Sequence, residues 1–511
     1  MISPFFIIVP SLDLTHMPLC LPLRLALTLF LSSLACTAWA DEDDTRQLLN
    51  KIDRTMAERE RAHLVDTDPA KDNASLITIE GHTYNVQNTL EDLGPAIYVT
   101  LNLQQWSKVR QFVERYRQLP GHEPALVSMA EGMLARQDKH YREVIASLRR
   151  AVAQNPSFVR AKLELARALF EDNQSREAKA LFEEVAQSTV PEQVVPVLEG
   201  YQGALRERDS WHGSVSMGTG YNSNINQANG MTTRTQVCSF FECVETNRKM
   251  PLPIKSSSLV YDAVAERRFQ IEGNHHLLVR GLSYGNYYHR HKEDEPQTYY
   301  DDNTSVIYVG YNYLSALDDV SVSPLFESYW GDRHNKYQAT GLRTEWKHTL
   351  TERLQLTAQA QQKHFRFQGE ERDYFENYDE RMVGGSASYL LGSQTLVYGG
   401  LTYTRRTQPQ ESARNKEYMA SLGLYRMFDV GINLNATALY RRTRYDEADA
   451  FLGGLREDRQ QIYIANLAVP RFKFAGLVPS LYVKRTVNAS SIDWAYTYRQ
   501  TEVALKVEKS F

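Results

Sequence analysis

The stretch VGINLNATALYRRTRY (430–445) places Ile432, Leu434, Ala436, Ala438 and Tyr440 on one face of an extended chain. Asn433, Asn435, Thr437 and Arg441 fall on the other face, with Leu439 as the exception. Alternation of period two with one apolar face predicts a β-strand half in contact with apolar surroundings. Segment 417–427 behaves alike, with Tyr418, Ala420, Leu422 and Leu424 set against Ser421, Gly423 and Tyr425.

Working outward, similar segments are expected at 212–224, 255–268, 275–290, 304–317, 320–331, 337–350, 354–367, 378–391, 394–407, 459–473, 477–487 and 498–511, for fourteen in all. Many match the roughly 9–11 residues that a tilted strand needs to cross a bilayer. Long joins are expected after odd-numbered segments: 225–254, 291–303, the GDRHNKY region (331–337), 368–377, 408–416, 446–458 and 488–497. Tight turns are expected after even-numbered ones, at Gly273-Asn274, Asp318-Asp319, Thr351-Glu352, Gly392-Ser393, Asp429 and Ala475-Gly476. Long loops on one side and short turns on the other predict an outer-membrane β-barrel over 211–511.

Composition agrees. The 58 Lys and Arg against 62 Asp and Glu give a net charge of −4, without the basic footprint of a nucleic-acid binder. A mean hydropathy of −0.47 excludes a bundle of membrane-spanning helices but not a barrel, whose strands alternate apolar and polar residues. Of 30 tyrosines, five precede residue 211 and 25 follow it, so the two halves differ chemically.

The earlier half reads as helical repeats. Residues 125–158 and 159–192 are two copies of a 34-residue unit. Gly132, Val144, Leu148, Ala151 and Pro156 stand in the first copy where Ala166, Ala178, Phe182, Val185 and, one place late, Pro191 stand in the second. Small residues at those contact positions let paired helices pack closely, as in tetratricopeptide repeats. A weaker unit with Ile97, Val109, Val113 and Tyr116 precedes them, and an amphipathic helix from Val194 to Arg206 is expected to cap the stack. A short strand or turn is expected near LITIEGHTYNV (76–86).

At the start, Leu23, Leu25, Leu27, Leu29, Phe30, Leu31 and Leu34 precede Ala38-Trp39-Ala40 and an acidic run. This is the pattern of a secretory signal peptide spanning 1–40, with cleavage expected after Ala40 and either Met1 or Met17 as the start. A lipoprotein reading through Cys36 ranks lower, because Ser33 stands where Leu is usual. Cleavage leaves Cys238 and Cys243, and two nearby cysteines in an exported chain are expected to form one disulfide in the largest external loop. The helical domain, 41–210, then lies in the periplasm.

The last strand places Val503, Leu505, Val507 and Phe511 on one face. A terminal Phe on such a strand resembles the signal by which outer-membrane proteins reach their assembly machinery, although Lys509 departs from that pattern.

With its leader, repeats and fourteen-stranded barrel, the chain resembles the surface lipoprotein assembly modulator (Slam) family. WHGSVSMGTGYNSNINQAN (211–229) is similar to that family's first barrel strand, with Gly220, Tyr221, Asn224 and Asn226 carrying the motif. LARALFEDNQSREAKALFEEV (165–185) resembles its last repeat. The resemblance implies an α + β chain, a periplasmic α-solenoid followed by an outer-membrane barrel of a Gram-negative bacterium. It implies delivery of lipoproteins, or related secreted haem- and metal-acquisition proteins, to the cell surface. Expected partners are that client, the lipid bilayer, and periplasmic chaperones with the barrel-assembly machinery. No cofactor, metal, catalytic site or nucleic acid is expected, since no His, Ser or Asp set stands at site spacing. An exopolysaccharide exporter, which also pairs repeats with a barrel, is the alternative. Gly213, Gly218 and Gly220 admit two readings: a weak seam that opens sideways, or a bulge or tight packing in the lumen.

Overall fold

The computed structural model describes residues 77–79, 82–84, 86–188, 191–238, 243–289 and 300–511. The leader and the Ala40 junction lie outside them. A small hairpin pairs Ile77–Ile79 with His82–Tyr84. Seven helices follow: α1 (Leu90–Asn102), α2 (Trp106–Arg117), α3 (Pro124–Gln137), α4 (Tyr141–Gln154), α5 (Val159–Glu171), α6 (Ser175–Ala186) and α7 (Val195–Arg208). They pack as consecutive antiparallel pairs around one continuous apolar core running from Leu93 to Leu205.

The repeat positions explain the close approach of the pairs. Val144, Leu148, Ala151, Ala166, Ala178 and Phe182 are all fully buried. A methyl group at Gly132 would sit 2.8 Å from Leu148 Cγ, so α3 and α4 meet there with no room for a side chain.

The barrel closes with fourteen strands: β1 (His212–Asn222), β2 (Ser256–Glu272), β3 (His275–Tyr288), β4 (Asp302–Leu314), β5 (Asp318–Gly331), β6 (His334–Thr349), β7 (Leu354–Phe367), β8 (Tyr378–Leu391), β9 (Thr395–Thr407), β10 (Asn415–Phe428), β11 (Ile432–Tyr445), β12 (Glu457–Ala468), β13 (Val478–Ser490) and β14 (Tyr498–Ser510). All neighbours are antiparallel, and β1 bonds to both β2 and β14. Closure leaves no sheet edge, as a bilayer requires. In β11, Tyr440 faces outward and is exposed, whereas Asn435, Thr437, Leu439 and Arg441 face inward and are buried. Leu439, the exception to the alternation, joins Met419, Ile462 and Ile464 in an apolar cluster inside the barrel.

Three expectations are corrected. The GDRHNKY region is not a long loop: β5 and β6 join through Asp332-Arg333, whose φ angles of 53° and 61° form the two-residue turn matched to strand twist. The turn expected at Asp318-Asp319 lies at Ser315–Leu317, and both aspartates belong to β5. β12 stops at Ala468 rather than 473, because Pro470 lacks a backbone N–H and opens a 3-10 turn, Pro470–Phe472.

Candidate functional site

The solenoid is seated on the barrel by the turn between α5 and α6. Asn173 holds a left-handed φ of 61°, which Asn tolerates, and this turns its neighbours toward the barrel. Asn173 Nδ2 donates to the Ser315 carbonyl (2.9 Å), and Asp172 Oδ1 accepts from the Ala316 amide (3.1 Å). Asn274 Nδ2 donates to both the carbonyl and carboxylate of Asp172 and to the Leu314 carbonyl (2.8 Å). Arg176 donates to the Gln270 and Ile271 carbonyls (2.8 and 3.0 Å). The turn therefore plugs between the β2–β3 and β4–β5 connections. A Lys139–Glu352 ion pair (3.1 Å) touches the β6–β7 connection, and Arg267–Asp209 (3.4 Å) braces the chain crossing. Each such contact is worth about 1 kcal/mol, so the set rather than any member fixes the seat. Nearby, Arg208 lies 4.1 Å over the Phe170 ring; burial, with Arg268 beside it, pulls its pKa down to about 10.

One face of the solenoid gathers three cations round a buried carboxylate. Arg160 Nε lies 2.8 Å from Glu164 Oε1, while Arg167 and Arg136 approach Oε2 at 3.5 and 3.9 Å. Arg136 also pairs with Glu171, Arg160 with Asn102, and Arg167 with the Tyr201 hydroxyl. These links join α1, α3, α5 and α7 along one surface. The three guanidinium groups stay partly exposed while Glu164 is buried.

Inside the barrel, ion pairs bridge the strands: Lys363–Glu327 (2.7 Å), and Arg406 with Glu380 and Glu417 (2.9 Å each). The first-strand motif lies at the opposite, external end. Tyr221 points outward and is exposed. Asn224 Nδ2 donates to the Ala228 and Arg499 carbonyls, tying the loop to β14. Asn226 clasps the far end of that loop, donating to the Leu252 carbonyl and accepting from the Ile254 amide, both at 2.9 Å. Within the loop a hairpin, Thr232–Cys238 with Cys243–Lys249, brings Cys238 and Cys243 opposite each other in register. Arg248 then stacks on Trp494 (4.3 Å) from the last external loop.

The first-strand glycines fit the close-packing reading. A Cβ at Gly218 would lie 2.0 Å from the Leu505 carbonyl oxygen, and one at Gly213 equally close to that of Val264. At Gly220 the nearest atom is Ser258 Oγ, 3.1 Å away. The β1–β14 ladder runs from Ser214–Ser510 to Asn222–Glu502. It is laced from within, because Lys506 of β14 reaches past Gly218 to pair with Asp262 of β2. Val503, Leu505 and Val507 face outward from β14 and are exposed, as is Phe511 just beyond its end.

Sequence reading missed the docking turn and the Lys506–Asp262 staple. The polar run Asp172-Asn173-Gln174 between two helices was the only available signal for the first; nothing local marks the second.

The family profile of the surface lipoprotein assembly modifiers matches residues 211–511, and the profile of their N-terminal TPR repeats matches 79–182. The chain belongs to the surface lipoprotein assembly modifier family. It is 29% identical over 500 residues to the hemophilin secretion modulator of Acinetobacter baumannii, covering 94% of this chain and 98% of that one. Surface lipoprotein assembly modifier 1 of Haemophilus influenzae is 23% identical, covering 79% and 81%. Modifier 2 of Neisseria meningitidis is 24% identical, covering 80% and 84%. Among solved structures, the A. baumannii channel OccAB1 overlaps 59% of this chain at 12% identity and a TM-score of 0.31, which adds nothing to the fold described above. As a member of the family, the chain is an outer-membrane barrel with its helical repeats in the periplasm.

Proposed function

We propose that the chain delivers client proteins, either lipoproteins or secreted haem-acquisition proteins, from the periplasm to the cell surface. The observation that carries this reading is the seating of a repeat domain directly on the periplasmic turns of a closed barrel. The names of its relatives, which refer to surface lipoproteins and to hemophilin secretion, support it. None of the relatives named above is a polysaccharide exporter.

The solenoid face bearing Arg136, Arg160 and Arg167 is the capture surface in this reading. The chain works as a carrier rather than an enzyme, with no cofactor or metal, and receives clients from periplasmic chaperones. The terminal strand, with Val503, Leu505, Val507 and Phe511, serves recognition by the barrel-assembly machinery. Cleavage after Ala40 frees the mature chain, and a Cys238–Cys243 disulfide staples the external hairpin. Alkylation before and after reduction, read by mass, tests that bond.

Capture is tested by co-purifying the detergent-solubilised chain with candidate clients, surface lipoproteins or secreted haem-acquisition proteins of the same genome. Retention by the unaltered chain and loss with Arg160→Glu plus Arg167→Glu is the expected result. Equal retention by both would overturn the assignment of this face.

A further inference from the structure

The lipid-facing wall of the barrel carries positive charge on one half of its external rim. Outward positions at the external ends of β8 to β12 hold Arg381, Arg405, Lys416, Arg442, Arg444 and Arg459. Four of them are consecutive register partners: Arg381 faces Arg405, Arg405 faces Lys416, and Lys416 faces Arg444. Arg442 faces Arg459 in the same way. Like charges directly opposite on neighbouring strands are destabilising, so such a row needs anions.

Among the described residues the anions are too few. Asp446 pairs with Arg405 and reaches Lys416 at 4.0 Å. Glu457 serves Arg442, Arg444 and Arg459 at 2.8, 3.2 and 3.1 Å. A third outward carboxylate, Asp379, is engaged by His364 at 2.8 Å. Two carboxylates are thus shared among five cations, and Arg444 and Arg459 keep about half of their side-chain surface exposed.

The layers beneath locate the row in the membrane. Two residues toward mid-strand from Arg405, Lys416 and Arg442 stand Tyr403, Tyr418 and Tyr440, also facing outward. Next come Leu401, Ala420 and Ala438, with Leu422 one step further along β10; the two leucines are 70% and 64% exposed. Apolar belt, tyrosines and then cations is the order of a bilayer meeting its headgroups. Arg366 on β7 and Arg499 on β14 flank the row on the same outward face, and among the described residues the remaining strand ends of the rim lack this charge. At the external ends of β1 and β3 to β6, the outward positions are Tyr221, Tyr287, Asn303, Ser328, Trp330 and Thr340. A general interfacial girdle would run the whole way round; a half-belt is a site.

We propose that this half-belt binds the phosphate groups of a phosphorylated acyl-glycan lipid in the outer leaflet. Its acyl chains lie on Leu401 and Leu422, and its phosphates bridge the arginines left short of carboxylates. Arginine suits this task because its planar fork engages phosphate with two parallel N–H donors.

The test uses the whole chain in non-ionic detergent and native mass spectrometry, with diphosphoryl lipid A as the probe. Dephosphorylated lipid A, phosphatidylglycerol and competing inorganic phosphate form the other arms. Diphosphoryl lipid A is expected to bind about ten-fold more tightly than the dephosphorylated form, given the strength of charge-assisted hydrogen bonds. Arg405→Gln, Arg444→Gln and Arg459→Gln together should abolish that preference, whereas Arg149→Gln with Lys179→Gln on the solenoid should not change it. If the triple variant fails to form a heat-modifiable barrel, the corresponding triple Lys variant keeps the charge and should retain only part of the preference. Equal binding of both lipid A forms, equal binding of phosphatidylglycerol, full displacement by inorganic phosphate at equimolar level, or an unchanged preference in the folded variants would each overturn the proposal.

Discussion

The Asn274 side chain on the β2–β3 turn donates to both the backbone carbonyl and the carboxylate of Asp172, at the end of α5. Through this pair a helix end recognises a barrel turn. Asp172 is also the acceptor for the Ala316 amide, so its carboxylate spans two connections. Asp172→Ala combined with Asn274→Ala should therefore loosen the solenoid without unfolding either part. Spin labels on α2 and on an external loop should report a broadened distance distribution, with β-sheet content unchanged. An unaltered narrow distribution would mean that Arg176 and Lys139 suffice to hold the seat.

Gly132 faces Leu148 where no Cβ fits. Gly132→Val should cost about 1–3 kcal/mol through overpacking, and it should lower the helical melting transition while leaving the barrel transition in place. Circular dichroism of the full chain separates the two.

Asp446 lies in an external loop, and the hydrogen bond from the Arg405 guanidinium holds its carboxyl below the ordinary value of 3.8. A depressed pKa adds stability that is fully present above the ordinary value and is lost as pH falls through the depressed one. Below about pH 4 the unaltered protein should lose stability more steeply than Asp446→Asn, with the curves parallel above pH 5. The effect is small, because the pair is partly exposed to solvent. Parallel curves throughout would remove Asp446 from the account.

Thr219 and Leu505 are register partners across the β1–β14 closure. If clients pass through a lateral opening there, Thr219→Cys with Leu505→Cys should stop export under oxidising conditions and restore it on reduction. Gly213 and Gly218 of β1 sit where neighbouring backbone leaves no room, and Lys506–Asp262 spans the strand. Opening the closure therefore has to break that ion pair. Undiminished export from the oxidised form would assign the path to the lumen.

Much of this architecture was legible because period-two alternation and the 34-residue repeat are local signals. VGINLNATALYRRTRY announced β11 and its outward face, and Gly132 and Ala166 announced the helix pairs. Where reading failed, the cause was contextual. Leu439 breaks the alternation because this barrel interior holds an apolar cluster as well as ion pairs. Asp332-Arg333 gives no glycine to mark a two-residue turn, yet both residues adopt left-handed angles. The seat formed by Asp172, Asn274 and Ala316 joins residues more than a hundred positions apart, and no single-sequence pattern encodes that pairing. Likewise the cation row of β8 to β12 emerges only once register puts Arg381, Arg405, Lys416 and Arg444 side by side.

Protease shaving of intact cells tests delivery to the surface most directly. Cells would express a client retained by the purified chain, alone, with this chain, or with the Asp172→Ala, Asn274→Ala variant, and accessible client would be quantified. The account predicts client digestion only when the whole chain is present, and reduced digestion when the solenoid is unseated from an otherwise assembled barrel. Full protection of the client in the presence of the unaltered, folded protein would contradict it.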